Sequence, residues 1–353
     1  MQKKKTFILI LIFFGASLAI ITACKKKDDN STEVVANTTP LKFVIPDGWP
    51  QPPSNIFASN PLTEEGFALG RKLFYDTRLS VDNSVACANC HQQFAAFSTY
   101  DHDFSHGLGS VHTFRNAPAL FNLAWMQQMH WDGGVNHIEV QPLAPITNPI
   151  EMGETVENVI NKLKADTAYP KLFAKAFGST TITSQRMLKA IAQFTGFMVS
   201  SNSKYDKVKR GEASFTLSEN NGYAIYKSKC ASCHPEPLFT DNSFRNNGLT
   251  VNPALNDSGR MRITGNRADS LKFKVPSLRN IGVSVPYMHD GRFNSVGSVI
   301  DHYRSGIVTT QPTLDPLLAN RLSITNQEKN DLIYFLFALT DTSFTKDPRF
   351  SQH

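Results

Sequence analysis

Two pentapeptides, Cys87-Ala88-Asn89-Cys90-His91 and Cys230-Ala231-Ser232-Cys233-His234, organise the chain. Each reads as a c-type haem attachment site, in which two thiols add to the haem vinyl groups and the adjacent histidine becomes the proximal iron ligand. The spacing is short because one turn of chain must place both sulfurs at the macrocycle edge and swing the imidazole beneath the metal. Cys-x-x-Cys alone would equally describe a redox-active dithiol or half of a zinc site. Here both copies carry the histidine. With Cys24 they account for all 5 cysteines of the 353 residues, which leaves no pair of thiols for a structural disulfide.

The segments around the motifs repeat as well. Leu62-Thr63-Glu64-Glu65-Gly66-Phe67-Ala68-Leu69 resembles Leu217-Ser218-Glu219-Asn220-Asn221-Gly222-Tyr223-Ala224-Ile225 apart from one inserted residue, and each leads into a motif. Asn60-Pro61 is a helix start, followed by Phe67, Gly70, Leu73 and Phe74 at helical spacing. Beyond the motifs, Pro118-Ala119-Leu120-Phe121-Asn122 corresponds to Pro276-Ser277-Leu278-Arg279-Asn280, and Asp132-Gly133-Gly134 to Asp290-Gly291-Arg292. The fold class that follows is mainly α, with two tandem cytochrome c-like haem domains related by internal duplication. At one further common offset stand Pro145 in the first half and Tyr303 in the second. If that offset lies over the distal haem face, a phenolate closes the second iron and the first stays open, as peroxide chemistry requires.

Between the copies, residues 154–177 and 185–199 have helical apolar spacing, and strand signals are few. The Lys- and Asp-rich segment 202–214 marks a boundary, giving an N-terminal peroxidatic haem domain over 54–205 and a C-terminal electron-transfer haem domain with its tail over 206–353. Residues 1–23 read as a signal peptide, with Lys3-Lys4-Lys5, an apolar run from Phe7 to Ile21 and Thr22-Ala23 before Cys24. The cysteine at the break resembles a bacterial lipoprotein signal with Cys24 lipidated, placing the protein in the cell envelope as a membrane-anchored periplasmic or outer-surface lipoprotein. Residues 24–53 read as a polar, then Pro-rich, tether. The formal charge of +6 includes the three leader lysines, so the basic balance carries no argument for nucleic acid.

Further stretches carry a resemblance: Arg115-Asn116-Ala117-Pro118, His130-Trp131-Asp132-Gly133, Gln141, Asn148-Pro149-Ile150-Glu151-Met152-Gly153, Phe273 to Asn280, and Pro286-Tyr287-Met288-His289-Asp290-Gly291. Together they resemble the bacterial dihaem cytochrome c peroxidases, in particular the branch that includes the methylamine dehydrogenase maturation enzymes. The resemblance implies that Glu151 moves the proton needed to cleave peroxide, that Gln141 positions it, and that Trp131 lies between the haems as a conductor. Read locally, Glu151 is equally a helix-start carboxylate after Asn148-Pro149, and a tryptophan is ordinarily core. Tyr303, Met288 and His302 are all chemically able to be the sixth ligand of the second iron. The duplication and the resemblance favour Tyr303.

His106, with His112 as competitor, resembles the loop histidine that caps the first haem in many such enzymes, although both also read as surface residues. The resemblance further implies a calcium ion, with Asn116 as side-chain ligand and Ser284 and Pro286 as carbonyl donors. The expected activity is a dihaem peroxidase that reduces hydrogen peroxide to water, drawing electrons from a small cytochrome or cupredoxin. Its rivals are a maturation-type oxidase acting on a protein substrate and a non-enzymatic dihaem electron carrier.

Overall fold

A computed structural model describes residues 36–100 and 102–352; the expected signal peptide, Cys24 and the first part of the expected tether lie outside the described residues. Helices dominate, and among the described residues the one two-stranded sheet pairs Phe244–Arg245 with Phe273–Lys274 in antiparallel register. Among the described residues no helix is long and apolar enough to cross a membrane.

The helix Glu64–Phe74 begins where the Thr63 hydroxyl accepts a hydrogen bond from Gly66 N at 3.0 Å, with Glu64 and Glu65 in its first turn and Arg71 and Lys72 in its last. Both charge placements complement the helix dipole. It packs against the helix Ser184–Phe197, capped by Thr183. In the second half, Leu217–Lys229 starts with a capping box between Thr216 and Glu219, and Asn326–Phe337 with one between Thr325 and Glu328. These two pack together in the same way.

A glycine lies at each crossing. A Cβ on Gly70 would stand 1.9 Å from the Ala190 carbonyl oxygen, and one on Gly222 would stand 2.0 Å from that of Asp331. Only glycine allows backbones this close.

Three apolar clusters fill the first half. Beside the small group of Leu123, Met129, Ile138 and Ala192, Leu69, Leu73, Val159, Leu163, Phe173 and Ile191 form one core, and Phe67, Phe74, Phe97, Phe121 and Phe194 belong to a second. The C-terminal tail returns to this second core through Phe344 and Phe350, and Tyr75 donates from its hydroxyl to Phe350 O at 2.8 Å. The second half is centred on Tyr205, Tyr226, Phe239, Leu332 and Phe335.

Several segments depart from the reading of residues alone. The apolar stretch 154–177 is two helices, Val156–Ala165 and Tyr169–Phe177, because the Asp166 carboxylate accepts from Ala168 N and Tyr169 N and Pro170 stands at the next start. The boundary segment contains a capped helix, Lys204–Lys209, whose Tyr205 enters the core of the second half. Residues 36–53 of the expected tether lie along the body: Trp49 packs edge-on against Trp125 at 5.1 Å, and Trp125 Nε1 donates to Pro50 O at 2.8 Å.

Candidate active site

Cys87–Cys90 form a single helical turn, closed by His91 N donating to Cys87 O at 3.0 Å. Ala96 and Phe97 then take left-handed backbone conformations, φ 55° and 59°, which fold the chain back so that Phe97 O meets His91 Nδ1 at 2.9 Å. A carbonyl only accepts, so Nδ1 carries the proton and Nε2 keeps its lone pair. The second site is built alike. His234 Nδ1 lies 3.1 Å from Phe239 O and 3.0 Å from Pro276 O, and Phe239 has φ 56°. Burial lowers the His91 pKa to about 4 and also lowers that of His234. Both rings are therefore neutral and oriented, as an iron ligand must be.

The cysteines are free thiols, and burial pushes Cys87 and Cys230 up to about 12. A redox dithiol needs a depressed thiol, which these are not. Among the described residues no group of three or more His, Cys, Asp or Glu side chains is arranged to hold a metal ion, so a zinc site has no ligand set. The residues fit covalent haem: His91 and His234 would supply the iron ligands and the four cysteines the attachment bonds.

Glu151 is half-buried on the side of the first attachment site, near enough for its charge to act on the Cys90 thiol. Asn148 Nδ2 donates to its Oε1 at 2.8 Å, which leaves Oε2 outside that bond. Burial raises the Glu151 pKa, and the Asn148 hydrogen bond opposes the rise. Pro145 lies on the short helix Leu143–Thr147, and its carbonyl accepts from Met152 N, tying that helix to the Glu151 turn. Gln141 Nε2 lies 3.4 Å from Nε2 of His130, which is half-buried at φ 65°. Neither Asn148 nor His130 was assigned a role from sequence. Asn148 stands within the Asn-Pro-Ile-Glu run, where its offset from Glu151 was the available signal.

The hairpin that carries His106 pairs it across the strands with His112. It packs on the Glu151 turn: Leu108 N donates to Glu151 O at 3.2 Å, and a Cβ on Gly107 would stand 1.8 Å from Ile150 O. The His106 ring lies between those of His102 and His112, at 4.7 and 4.5 Å.

Around the second site, Tyr303 stands in a π-turn, His302–Gly306. Its pKa is raised to about 12 by burial, and the Cys230 and Cys233 thiols contribute, which places it beside that attachment segment. His302 is buried, with Nε2 donating to Asn247 O at 3.0 Å, and Met288 Sδ accepts from Asn247 Nδ2 at 3.5 Å. Trp131 Nε1 donates to Asn116 O at 2.8 Å, and Trp131 O accepts from Lys274 N at 2.7 Å. Asn116 Nδ2 donates to Pro286 O at 3.1 Å, so these two expected calcium ligands meet, and Ser284 lies two residues upstream of Pro286.

A family model described as di-haem cytochrome c peroxidase matches residues 64–214. The methylamine utilization protein MauG of Methylorubrum extorquens is 36% identical over 304 residues, covering 84% of this chain and 83% of that protein. The chain belongs to the di-haem cytochrome c peroxidase family. Another relative, the cytochrome c551 peroxidase of Nitrosomonas europaea, is 36% identical over 248 residues, covering 68% of this chain and 73% of that one. The crystal structure of a MauG-like protein associated with microbial copper homeostasis superposes with a TM-score of 0.80 at 34% identity, covering 88% of this chain and 99% of that chain. Di-haem cytochrome c peroxidases carry two c-type haems, and the two attachment segments of this chain provide for both.

Proposed function

We propose that this di-haem peroxidase reduces hydrogen peroxide to two waters, taking two electrons and two protons, at the haem held by His91. Electrons enter at the haem held by His234 from a small cytochrome or cupredoxin. The observation that carries the assignment is the asymmetry between the halves: a half-buried carboxyl, Glu151, lies on the side of the first attachment segment, and a phenol, Tyr303, lies beside the second. Bound haem supplies an iron that takes up peroxide and delivers the electrons that split its O–O bond.

The side chains supply the proton management. Glu151 Oε2 accepts a proton from the nearer peroxide oxygen and returns it to the departing one, while Asn148 holds Oε1 and fixes the carboxyl plane. Gln141, its amide 3.4 Å from His130 Nε2, has the positioning role that the resemblance implies. Trp131 carries charge between the two centres, tied at one end to Asn116 and at the other to Lys274. Tyr303 excludes outside ligands from the second iron. His106 stands on the hairpin against the Glu151 turn, from which it would gate the first site; if it does not reach the iron, that site is open at rest.

The finer architecture is two haem domains, 54–205 and 206–353, that arose by duplication. Paired features support it: glycine-mediated helix crossings at Gly70 and Gly222, histidine-to-carbonyl bonds at Phe97 and Phe239, and left-handed Asn122 and Asn280. A calcium ion held by Asn116, Ser284 and Pro286 joins the halves. Export and lipidation at Cys24 place the enzyme in the cell envelope, a reading supported by the leader sequence and tested by mass spectrometry of the mature N-terminus.

The deciding experiment is steady-state peroxide consumption by the holoenzyme with a reduced small cytochrome or cupredoxin as donor. Turnover that begins from the fully oxidised protein means an open first site, and turnover only after partial reduction means that His106 gates it. No turnover in either state would overturn the proposal. Tyr303 beside the second attachment segment also favours the maturation-type reading, which requires a protein substrate whose side chain is oxidised.

A further inference from the structure

Trp131 stands where two similar stretches of the chain meet. Arg115-Asn116 comes shortly before Pro118 and Phe273-Lys274 shortly before Pro276, while Trp131 and His289 each precede an Asp-Gly pair. The structure joins these pieces crosswise: Asn116 N donates to His289 O at 2.8 Å, and Lys274 N donates to Trp131 O at 2.7 Å.

Arg115 ties the junction together. Its Nη1 donates to Asp132 Oδ2 at 2.6 Å, and its Nε and Nη2 donate to Asp257 Oδ2 and Oδ1 at 2.7 and 2.8 Å. Both carboxylates are buried, and each is fixed by a backbone amide as well: Asp132 Oδ1 accepts from Gly134 N at 3.0 Å, and Asp257 Oδ1 from Gly259 N at 2.9 Å. The guanidinium carbon lies 5.7 Å from the centre of the Phe273 ring, and that ring stacks on His289 at 3.7 Å.

These contacts close a ring on the tryptophan. The Arg115 side chain holds Asp132, the residue after Trp131, and the residue after Arg115 offers the carbonyl that receives the Trp131 indole N–H at 2.8 Å. Both ends of Trp131 are thereby referred to one arginine, which Asp257 anchors to the second half. A guanidinium can do this because its planar fork spans two carboxylates at once, whereas a lysine ammonium is a single point.

We propose that Arg115 is a positioning residue for electron transfer between the haems, holding the Trp131 indole in its place at the junction of the two halves. The inference rests on the reading of Trp131 as the conductor. One electron leaves the second haem and arrives at the first, and neither Arg115 nor Trp131 is changed at the end.

The test is made on holoenzyme carrying both haems, with stopped-flow absorption following transfer from the second haem to the first. Arg115→Lys, which keeps the charge, is expected to leave both haem spectra and both midpoint potentials unchanged and to lose most of the transfer rate. In a Trp131→Phe background the same substitution is expected to slow transfer no further, because the residue through which it acts is gone. Asp257→Asn, which keeps the shape and removes the anchoring charge, is read in the same two backgrounds if Arg115→Lys fails to fold.

An unchanged rate in these variants overturns the role of Arg115, and so does an equal slowing in both backgrounds, which would place its effect elsewhere. If Trp131→Phe alone leaves the rate unchanged, the conductor reading itself fails and the positioning role fails with it.

Discussion

Asn116 and Pro286, 170 residues apart in sequence, meet through a hydrogen bond of 3.1 Å from the asparagine amide to the proline carbonyl. The same asparagine receives the Trp131 indole N–H on its backbone carbonyl and donates its own N–H to His289 O at 2.8 Å. One residue thus ties the first half to the second beside the proposed conductor. A hard cation prefers such amide and carbonyl oxygens. Isothermal titration of chelator-treated holoenzyme is expected to show one calcium bound per chain, and Asn116→Ala is expected to lose it. Undiminished binding in that variant would remove Asn116 from the site.

Glu151→Gln is expected to keep both haems and lose about a hundredfold or more of peroxide turnover, the scale of a missing proton-transfer group. The pH profile provides a second check. Burial raises the Glu151 pKa, and proton acceptance needs the ionised form, so the rate falls with decreasing pH through a value above the ordinary 4.5. The glutamine variant is expected to lack that limb; a limb that persists in it belongs to another group.

Trp131→Phe is expected to leave both haem spectra intact and slow electron transfer from the second haem to the first, followed by stopped-flow absorption. The ring is replaced by a smaller one and the N–H to Asn116 O is lost, with little change elsewhere. Unchanged transfer kinetics would return Trp131 to a packing role.

Arg279 is fully buried against Asp206, donating to its two oxygens at 2.9 and 2.8 Å. Removing one partner of such a pair strands the other charge, at a cost of about 3–5 kcal/mol. Arg279→Leu is therefore expected to lower the urea midpoint sharply. Burial alone would raise the Asp206 carboxyl, but Arg279 outweighs it and holds the pKa below 3.8. A carboxyl depressed on folding contributes stability above its unfolded pKa and loses it as pH falls through the folded one. Wild-type stability should therefore decline with acid below about pH 4, and Arg279→Leu is expected to remove this share of the decline.

Gly222→Ala sets two effects against each other. Alanine in a helix is worth about 1 kcal/mol over glycine, whereas overpacking costs about 1–3 kcal/mol. The new methyl would stand 2.0 Å from the backbone oxygen of Asp331, which cannot rotate away, so overpacking wins. Calorimetry is expected to show net destabilisation, with Asn220→Ala, at an exposed position of the same helix, affected much less.

Much of the local architecture was legible in the residues. The attachment pentapeptides, the helix beginning near Glu64 and the Gln185–Val199 spacing depend on covalent distance and on capping within a turn, which act over a few positions. The helical spacing over 154–177 is carried by two helices that part at Asp166, because its carboxylate competes for the next backbone amides, a local effect that apolar spacing does not register. Asn247 escaped notice for a different reason. An asparagine in a loop has no pattern of its own, and its meaning comes from the neighbours that packing brings to it.

By itself the sequence determined two haem-attachment pentapeptides, each with its adjacent histidine, and a mainly helical chain, because each depends on residues adjacent along the backbone. The tertiary structure alone decided that the C-terminal tail packs into the first half through Phe344 and Phe350. It alone brought Asn116 to Pro286 and gathered Met288 and His302 around Asn247. Those relationships join residues tens to hundreds of positions apart, and they exist only once burial of the apolar helix faces has set where each loop lies.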